Sequence, residues 1–356
     1  MIQRKYLIFL GSLAALAILW CAGWFWIASA IQTEIAILAE QRRDEGVTLE
    51  WDRIDISGFP IRFSTRFVRP RGSWTTPERT LIWNLEDDPV VRPFTNGPGF
   101  LMVDAKGTHR FRIVEPDGSF NFILRSVRFD GDIAFDNENR ASAARGVIEP
   151  VFVTYKDQPE FRLSRVAFEW TRELGRSDSD ALHPDGDELT FAIILDDADL
   201  SPLPLDPAVR DTLGNRIERA ATQVRLRGDL DPTFVSAERL AQWRDAGGTI
   251  DIEQVQLHWG TLHIAGEGTV ALDAALQPEG AFTARIAGLD KLIDMLEARG
   301  RVRPQQAAIA RIALAVLTRA PSDGGPPEAR VSVTVQNRVL SIGPVPLLNL
   351  DPIEWN

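Results

Sequence analysis

Cysteine is scarce in this chain of 356 residues, which contains a single one, Cys21, inside an apolar run near the N-terminus. One cysteine cannot form an intramolecular disulfide, and the rest of the chain has no thiolate for a metal site or for nucleophilic catalysis. Basic residues are also in deficit, since 39 lysines and arginines stand against 50 aspartates and glutamates. The resulting acidic surface repels the phosphates of nucleic acid, so we expect no nucleic-acid partner.

The sequence also lacks the local motifs of common catalytic and nucleotide-binding sites. It contains no G-x-S-x-G elbow, and no helix or lysine follows Gly266 and Gly268 as a phosphate loop requires. A close backbone approach within a strand is the expected use of these glycines. Carboxylates such as Asp196 and Asp197 fall in turn-like segments and lack the spacing of a calcium loop. We therefore expect a protein that is not an enzyme and needs no cofactor.

The strongest positive signal is an uncharged apolar run near the N-terminus, residues 6–30. About 20 apolar residues cross the hydrocarbon core of a bilayer as a helix, so this run is long enough. Tyr6 opens the run, and Trp20, Trp24 and Trp26 cluster toward its far end, as aromatic residues do at a membrane interface. These four aromatic residues are the expected anchor residues of a transmembrane helix.

Two basic residues, Arg4 and Lys5, precede the apolar run. The positive-inside rule therefore places the N-terminus in the cytoplasm and the body of a single-pass inner-membrane protein in the periplasm. The rival interpretation is a cleaved signal peptide, since Ala28-Ser29-Ala30 matches the small-x-small cleavage pattern. The run is longer than the usual signal core of about 7–15 residues, which favours an uncleaved anchor.

Beyond the anchor, apolar and polar residues alternate with period two in short runs bounded by Gly, Asp or Asn. This pattern predicts antiparallel strands with one apolar face. Helical segments are few, and the clearest follows an Asp206-Pro207 cap. We expect an α+β, β-dominated fold, in which an N-terminal transmembrane helix precedes long curved antiparallel sheets with a few amphipathic helices packed on them.

The expected domain boundary lies at the end of the anchor. Residues 1–46 form the membrane helix and its extension, and residues 47–356 form the exported β-rich domain. The hexapeptides RVAFEW and QVQLHW echo each other, which raises the alternative of a duplicated half-barrel with halves 47–205 and 206–356. Such short matches also arise by chance between strands, so the sequence leaves duplication open.

The segment VQLHWGTLHIAG carries two of the four histidines of the chain. Glycine at the first position of Gly260-Thr261 favours a two-residue hairpin turn. The resulting register sets His258 opposite His263, with Cβ atoms about 4.5–5.5 Å apart. Their apolar neighbours then lie on the other face of the hairpin.

Two imidazoles can contribute to a zinc or copper site, but such a site needs a third or fourth ligand. Glu267 shares the face of His263, whereas Glu253 is expected on the opposite face, beside Val255. A solvated polar face is therefore the favoured interpretation, and His258 and His263 are only a weak candidate metal pair.

Several segments resemble the domain of unknown function 2125 family, an uncharacterised group of exported, anchored proteobacterial proteins. They are EWDRIDISG, GFPIRF, the block of residues 257–296 and the block of residues 339–355. The resemblance covers nearly the whole chain and implies no catalytic residue at any position. More remotely, the order of anchor, Gly-Phe-Pro turn and many strands is similar to that of AsmA-like envelope proteins, which handle lipids on long curved sheets. That likeness is one of fold, and fold does not determine function.

An apolar sheet face held near a membrane favours a binding or transfer module, with a groove for a lipid chain or another apolar ligand. A core closed by helices or by an opposite sheet explains the same alternation. An alternative function is an assembly factor that holds envelope protein partners through its β surface, and a periplasmic hydrolase is less favoured. The candidate groove residues share the apolar parity of adjoining strands: Val255, Leu257, Trp259, Leu262, Ile264, Val270, Leu272, Phe282 and Ile286.

Overall fold

The computed structural model divides into two compact units, Met1–Asn139 and Arg140–Asn356. The described residues are 2–43, 46–76, 79–93, 99–116, 118–138, 140–156, 158–173, 188–228, 230, 236–300, 302–319, 327–343 and 345–355.

The first unit consists of one long helix and a set of antiparallel strands. Its described elements are α1 (Ile2–Arg43), β1 (Val47–Glu50), β2 (Arg53–Ser57), β3 (Ser64–Val68), β4 (Arg71–Thr75), β5 (Thr80–Leu85), β6 (Val90–Pro93), β7 (Phe100–Asp104), β8 (Gly107–Glu115) and β9 (Gly118–Phe135).

The strands of the first unit pair as a meander of interrupted long strands. β1 pairs with β4, and β2 pairs with β3. On their other edges, β4 pairs with β5 and β3 pairs with β6. β5 pairs in turn with β8, and β6 with β7. Both β7 and β8 then pair with the single long strand β9. The interruptions of neighbouring strands lie side by side. For example, residues 69–70 separate β3 from β4, and residues 86–89 separate β5 from β6. Interruptions of this kind bend strands and increase their twist.

His109 lies beside this line of interruptions and is buried. Its Nδ1 accepts a hydrogen bond from the indole Nε1 of Trp83 at 3.2 Å, and its Nε2 lies 2.7 Å from the carbonyl oxygen of Ala105. The rings of Phe111 and Phe129 pack against it. Burial lowers the pKa of His109 below its ordinary value, so this histidine is a neutral part of the core.

The second unit contains the remaining strands and four short helices. Its described elements are β10 (Ala141–Tyr155), β11 (Phe161–Glu173), β12 (Glu188–Asp199), α2 (Pro207–Leu213), β13 (Arg216–Arg227), α3 (Ala237–Asp245), β14 (Thr249–Trp259), β15 (Leu262–Leu272), β16 (Pro278–Ala287), α4 (Leu289–Ala298), α5 (Pro304–Leu317), β17 (Thr318–Arg319), β18 (Glu328–Gln336), β19 (Val339–Ile342) and β20 (Val345–Asn349).

Each strand from β10 to β16 pairs antiparallel with the next, β16 pairs with β18 after the helices α4 and α5, and β19 and β20 follow.

The predicted cap of α2 is confirmed, since the carboxylate of Asp206 accepts a hydrogen bond from the backbone N–H of Ala208 at 2.8 Å. The predicted α+β, β-dominated fold class is also confirmed.

The echoing hexapeptides fall on β11 and β14, at residues 165–170 and 254–259. Three antiparallel pairings separate these strands, so they run in opposite directions. Trp170 and Trp259 pack in different apolar clusters. The two hexapeptides therefore do not occupy equivalent positions in the sheet.

Among the described residues, helices cover the apolar face of the second unit at two places. One cluster, beneath α2 and the start of α4, has a buried core of Leu213, Leu262, Ala284, Ile286, Ala329 and Val331. The other, beneath α3, has a buried core of Leu189, Leu226, Leu240 and Trp243. Both clusters are closed hydrophobic cores, and they hold the helices on the sheet.

Trp243 is the main contact of α3 with the sheet. Its Nε1 donates a hydrogen bond to the carbonyl oxygen of Arg227 at 2.7 Å, and its ring occupies the space above Gly248, where a Cβ would lie 2.2 Å from Cε2. We expect Trp243→Ala to lower the free energy of unfolding by about 3–5 kcal/mol, measured by urea denaturation of the full-length chain in detergent. The exposed neighbour Gln242 provides the control Gln242→Ala, with a change within about 0.5 kcal/mol. Equal effects of the two substitutions would contradict this packing.

The buried His109 predicts a pH dependence of stability. Because its pKa is lower in the folded chain, the unfolded chain binds the proton first as the pH falls. The free energy of unfolding should therefore be fully retained above about pH 6.5 and decrease as the pH falls from there toward the folded pKa. His109→Gln should flatten this decrease in a pH series of urea denaturations. A decrease that persists unchanged in His109→Gln would assign it to other groups.

Candidate functional site

The hairpin of β14 and β15 has the predicted register. His258 lies opposite His263, and Leu257 opposite Ile264. Gly260 has a φ of +54° at the first turn position, which suits the predicted two-residue turn. The two imidazole rings stack with their centroids 4.7 Å apart. Both lie on the polar face of the sheet, as predicted.

The tip of this hairpin packs against the end of α2. The indole Nε1 of Trp259 donates a hydrogen bond to the carbonyl oxygen of Gly214 at 3.2 Å. A Cβ on Gly260 would lie 2.4 Å from the carbonyl oxygen of Leu213. Only glycine therefore allows this approach, and α2 closes one end of the apolar face.

The structure divides the nine predicted groove residues among three environments. Leu272 packs in the cluster beneath α3. Val255, Val270 and Phe282 lie on the same apolar face between the two clusters. The cluster beneath α2 and α4 takes in Leu257, Trp259, Leu262, Ile264 and Ile286. Six of the nine therefore belong to closed cores, and the open part of the face lies elsewhere.

An uncovered track crosses the sheet between the two clusters. Direct register partners on neighbouring strands form it, and we call it the central row: Phe168, Ile193, Thr222, Val255 and Gly266. Ile193 is 40% exposed and Val255 37% exposed. With strands about 4.8 Å apart, a row across five strands is about 19 Å long. The central row is thus an extended apolar surface that the described helices leave accessible to a ligand.

Sequence reasoning missed the part of this row outside the hairpin, including Phe168 and Ile193. Alternation in the sequence indicates only that strands such as β11 and β12 have one apolar face. It did not predict which strands are neighbours or which parts of the face the helices cover. Those two facts depend on the tertiary structure.

The glycines of β15 serve close packing, as expected. The ring of Phe282 lies over Gly268, where a Cβ would be 2.5 Å from its Cδ1 atom. A side chain at this position would displace the ring. Gly268 therefore allows the ring of Phe282 to pack closely against β15 beside the central row.

The prediction that Glu253 shares the face of Val255 is wrong. A β-bulge lies between Ile252 and Val255, because these residues pair with Gly268 and Gly266. The extra residue reverses the parity, and Glu253 instead forms an ion pair with Arg225 on the polar face. The same bulge keeps the apolar residues of β14 on a single face along the whole strand.

Ion pairs between neighbouring strands cover the polar face. Arg227 bridges Asp251 at 2.5 Å and Glu188 at 3.2 Å, and Thr269 donates a hydrogen bond to Asp251 at 2.9 Å. Burial alone would raise the pKa of Asp251, but the hydrogen bonds from Arg227 and Thr269 and the charges of Arg227 and Arg225 lower it. These contacts match the charges of adjacent strands and keep this face polar.

A small cavity of about 210 Å³ opens on the polar face at the bulge. Its lining includes Glu253, Glu267, Arg285 and Arg330. Ligand pockets usually measure about 300–1,000 Å³, so this cavity suits water or a small polar group. Neither stacked histidine lines it.

No third ligand joins the histidine pair among the residues that the structure describes, where no group of three His, Cys, Asp or Glu side chains is placed to hold a metal ion. Two imidazoles supply half of a tetrahedral zinc site. We therefore expect metal analysis of the full-length protein to give the same zinc content for the wild type and for His258→Ala. Stoichiometric zinc that His258→Ala removes would establish a metal site.

The expected anchor residues lie in α1. Tyr6 is near its start, and within the described residues Leu16–Arg43 is long and apolar enough to cross a membrane. Trp26 is exposed. Trp20 and Trp24 instead donate indole hydrogen bonds to the carbonyl oxygens of Pro60 and Arg62, between β2 and β3. The described anchor face is therefore partly a protein contact, which the sequence did not predict.

Comparison with known proteins assigns the family. The model described as "Uncharacterized protein conserved in bacteria (DUF2125)" matches residues 24–351, a range that begins within α1 and takes in most of both units. No individually curated protein matches the sequence. The chain belongs to the DUF2125 family of uncharacterised bacterial proteins.

Proposed function

We propose that this chain is a single-pass inner-membrane protein whose periplasmic body binds, and helps to transfer, the acyl chain of a lipid or another apolar ligand without catalysing a reaction. The observation that carries the proposal is the central row. Ile193 and Val255 remain about two-fifths exposed there. They lie between the two apolar clusters that the helices cover. A linear apolar ligand lying along the row would cover both.

The energetics of such a contact are moderate. Burying an exposed Val or Ile side chain completely yields about 1.5–3 kcal/mol, so covering the remaining surface of Ile193 and Val255 yields on the order of 1 kcal/mol each. Phe168 and Phe282 add aromatic surface beside them. The acyl chain of one leaflet spans about 15 Å, half of the hydrocarbon thickness, and fits within the length of the central row. A sum of weak contacts of this kind suits reversible loading.

The membrane part of the proposal rests on α1. Arg4 and Lys5 precede its apolar run, which favours a cytoplasmic N-terminus. Cleavage after Ala30 would remove Trp24, which is 7% exposed and stacks on Phe63 between β2 and β3. Retention of the helix is therefore favoured over its loss as a signal peptide. The helix would keep the body next to a source of lipid.

The test is lipid retention by the full-length protein. The double variant Ile193→Glu/Val255→Glu places two carboxylates on the apolar track, at positions open enough to water for the fold to tolerate them. Burying these charges beneath an acyl chain is costly. We expect native mass spectrometry and lipid extraction to show a bound lipid on the wild type and its loss from the double variant.

The matched control is Ala281→Glu. Ala281 is exposed on the opposite face of the same sheet, so the control adds a charge without touching the central row and should retain the lipid. Because α1 is identical in all three proteins, lipid held only by the anchor would be retained equally. Equal retention, or a wild type without lipid, would reject the binding proposal. Co-purifying protein lost from the double variant would instead favour the assembly function.

A further inference from the structure

A six-residue turn at residues 58–63 joins β2 to β3. Its first residue, Gly58, has a φ of +103°, and the N–H of Arg62 donates a hydrogen bond to the carbonyl oxygen of Gly58 at 2.9 Å. A Cβ on Gly58 would lie 2.7 Å from the carbonyl oxygen of Arg62. The backbone conformation of the turn is thus tightly defined.

This turn packs on the apolar helix through Trp20 and Trp24. The indole Nε1 of Trp20 donates a hydrogen bond to the carbonyl oxygen of Pro60 at 3.0 Å. The indole Nε1 of Trp24 donates one to the carbonyl oxygen of Arg62 at 3.2 Å. The rings of Trp24 and Phe63 stack with their centroids 5.2 Å apart. The turn is therefore held at the level of these two tryptophans.

The hairpin lies along the helix from its base to its tip. At the base, the side-chain amide of Gln32 donates a hydrogen bond to the carbonyl oxygen of Ile54 at 3.0 Å. Gln32 and Trp20 are about 18 Å apart along the helix at 1.5 Å per residue. The hairpin therefore extends back alongside the uncharged part of α1.

The tip of the hairpin presents apolar side chains outward. Ile61 is 78% exposed and Phe59 48% exposed. The ring of Phe59 stacks with that of Phe25 of α1, which is itself exposed. Together they form one apolar patch shared by the turn and the helix, a feature that marks an interaction surface.

The length of the apolar run gives the depth of this patch. A span that begins just after Lys5 needs about 20 residues to cross the hydrocarbon core, and it reaches the far interface near Phe25. Trp20 then lies about 8 Å below that interface, since five residues of helix separate them. Amphipathic elements at membrane surfaces insert to about 5–10 Å, so the turn lies at the depth of an interfacial anchor.

The charges of the tip also fit a membrane. Residues 56–64 contain no carboxylate, and their one charge is Arg62. A long arginine side chain can extend toward lipid phosphates while the backbone lies deeper. An anionic membrane surface would attract this group and not repel it.

We propose that the Gly-Phe-Pro turn is a second membrane contact, in which Phe59 and Ile61 insert into the periplasmic leaflet beside α1. The contact holds the first hairpin against the bilayer and limits the tilt of the sheet around its anchor. It rests on the transmembrane part of the proposed function and does not depend on a ligand in the second unit.

The test measures the depth of single fluorescent labels in vesicles. Cysteine is introduced by Ile61→Cys, Phe25→Cys or Val127→Cys into the full-length chain carrying Cys21→Ser, and each is labelled with an environment-sensitive nitrobenzoxadiazole dye. Val127 is the matched control, because it is an exposed apolar residue on β9 of the same unit. The proteins are reconstituted into phosphatidylcholine–phosphatidylglycerol vesicles, with and without lipids that carry a doxyl quencher near the top of the acyl chain.

We expect the label at position 61 to show blue-shifted emission and to be quenched as strongly as the label at position 25. The label at position 127 should show water-like emission without quenching. Quenching at position 25 alone would overturn the turn contact and leave the anchor intact. Quenching at neither position would overturn both the anchor and the contact. Neither result bears on ligand binding at the central row.

Discussion

Strand parity in the second unit is the constraint on which the rest of the structure depends, because a one-residue slip in a strand exchanges its apolar and polar faces. From β10 to β18, register partners such as Phe168, Ile193 and Val255 fall on one face. The bulge before Val255 preserves this arrangement where simple alternation would reverse it. Ion pairs such as that of Arg227 with Asp251 complete the opposite face.

The short helices convert this two-faced sheet into a candidate binding surface. α2 and α4 pack on one region and α3 packs on another. The central row between them has no such cover in the described part of the chain. Its exposed Ile193 and Val255 therefore follow from the placement of the helices, and the same strands with one longer helix would form an ordinary closed core.

Much of the fold follows from local patterns in the sequence. Alternation predicted the β-dominated class, and Gly260-Thr261 predicted the register of one hairpin to the residue. The bulge at Glu253 was not predicted, because its sequence carries no glycine or other local signal for an extra residue. The candidate groove was only partly predicted, since alternation identifies the apolar face but does not indicate which helices pack on it.

Long-range contacts were the other feature beyond the reach of local patterns. Trp24 and the Gly-Phe-Pro turn were each recognised in the sequence, the first as part of an anchor and the second as a turn. Trp24 contacts this turn through an indole hydrogen bond to the carbonyl oxygen of Arg62, 38 positions away, and through a ring stack with Phe63. Aromatic residues suit both a membrane interface and a protein contact, so composition alone could not distinguish the two uses.

The most direct measurement of an apolar ligand on the second unit is site-specific photo-crosslinking in intact membranes. A benzophenone amino acid replaces either Ile193 on the apolar face or Ala192, its neighbour on the opposite face of β12. We expect a lipid adduct, identified by the mass of the crosslinked peptide, from position 193 and none from position 192. Lipid adducts at both positions, or at neither, would contradict ligand binding on this face.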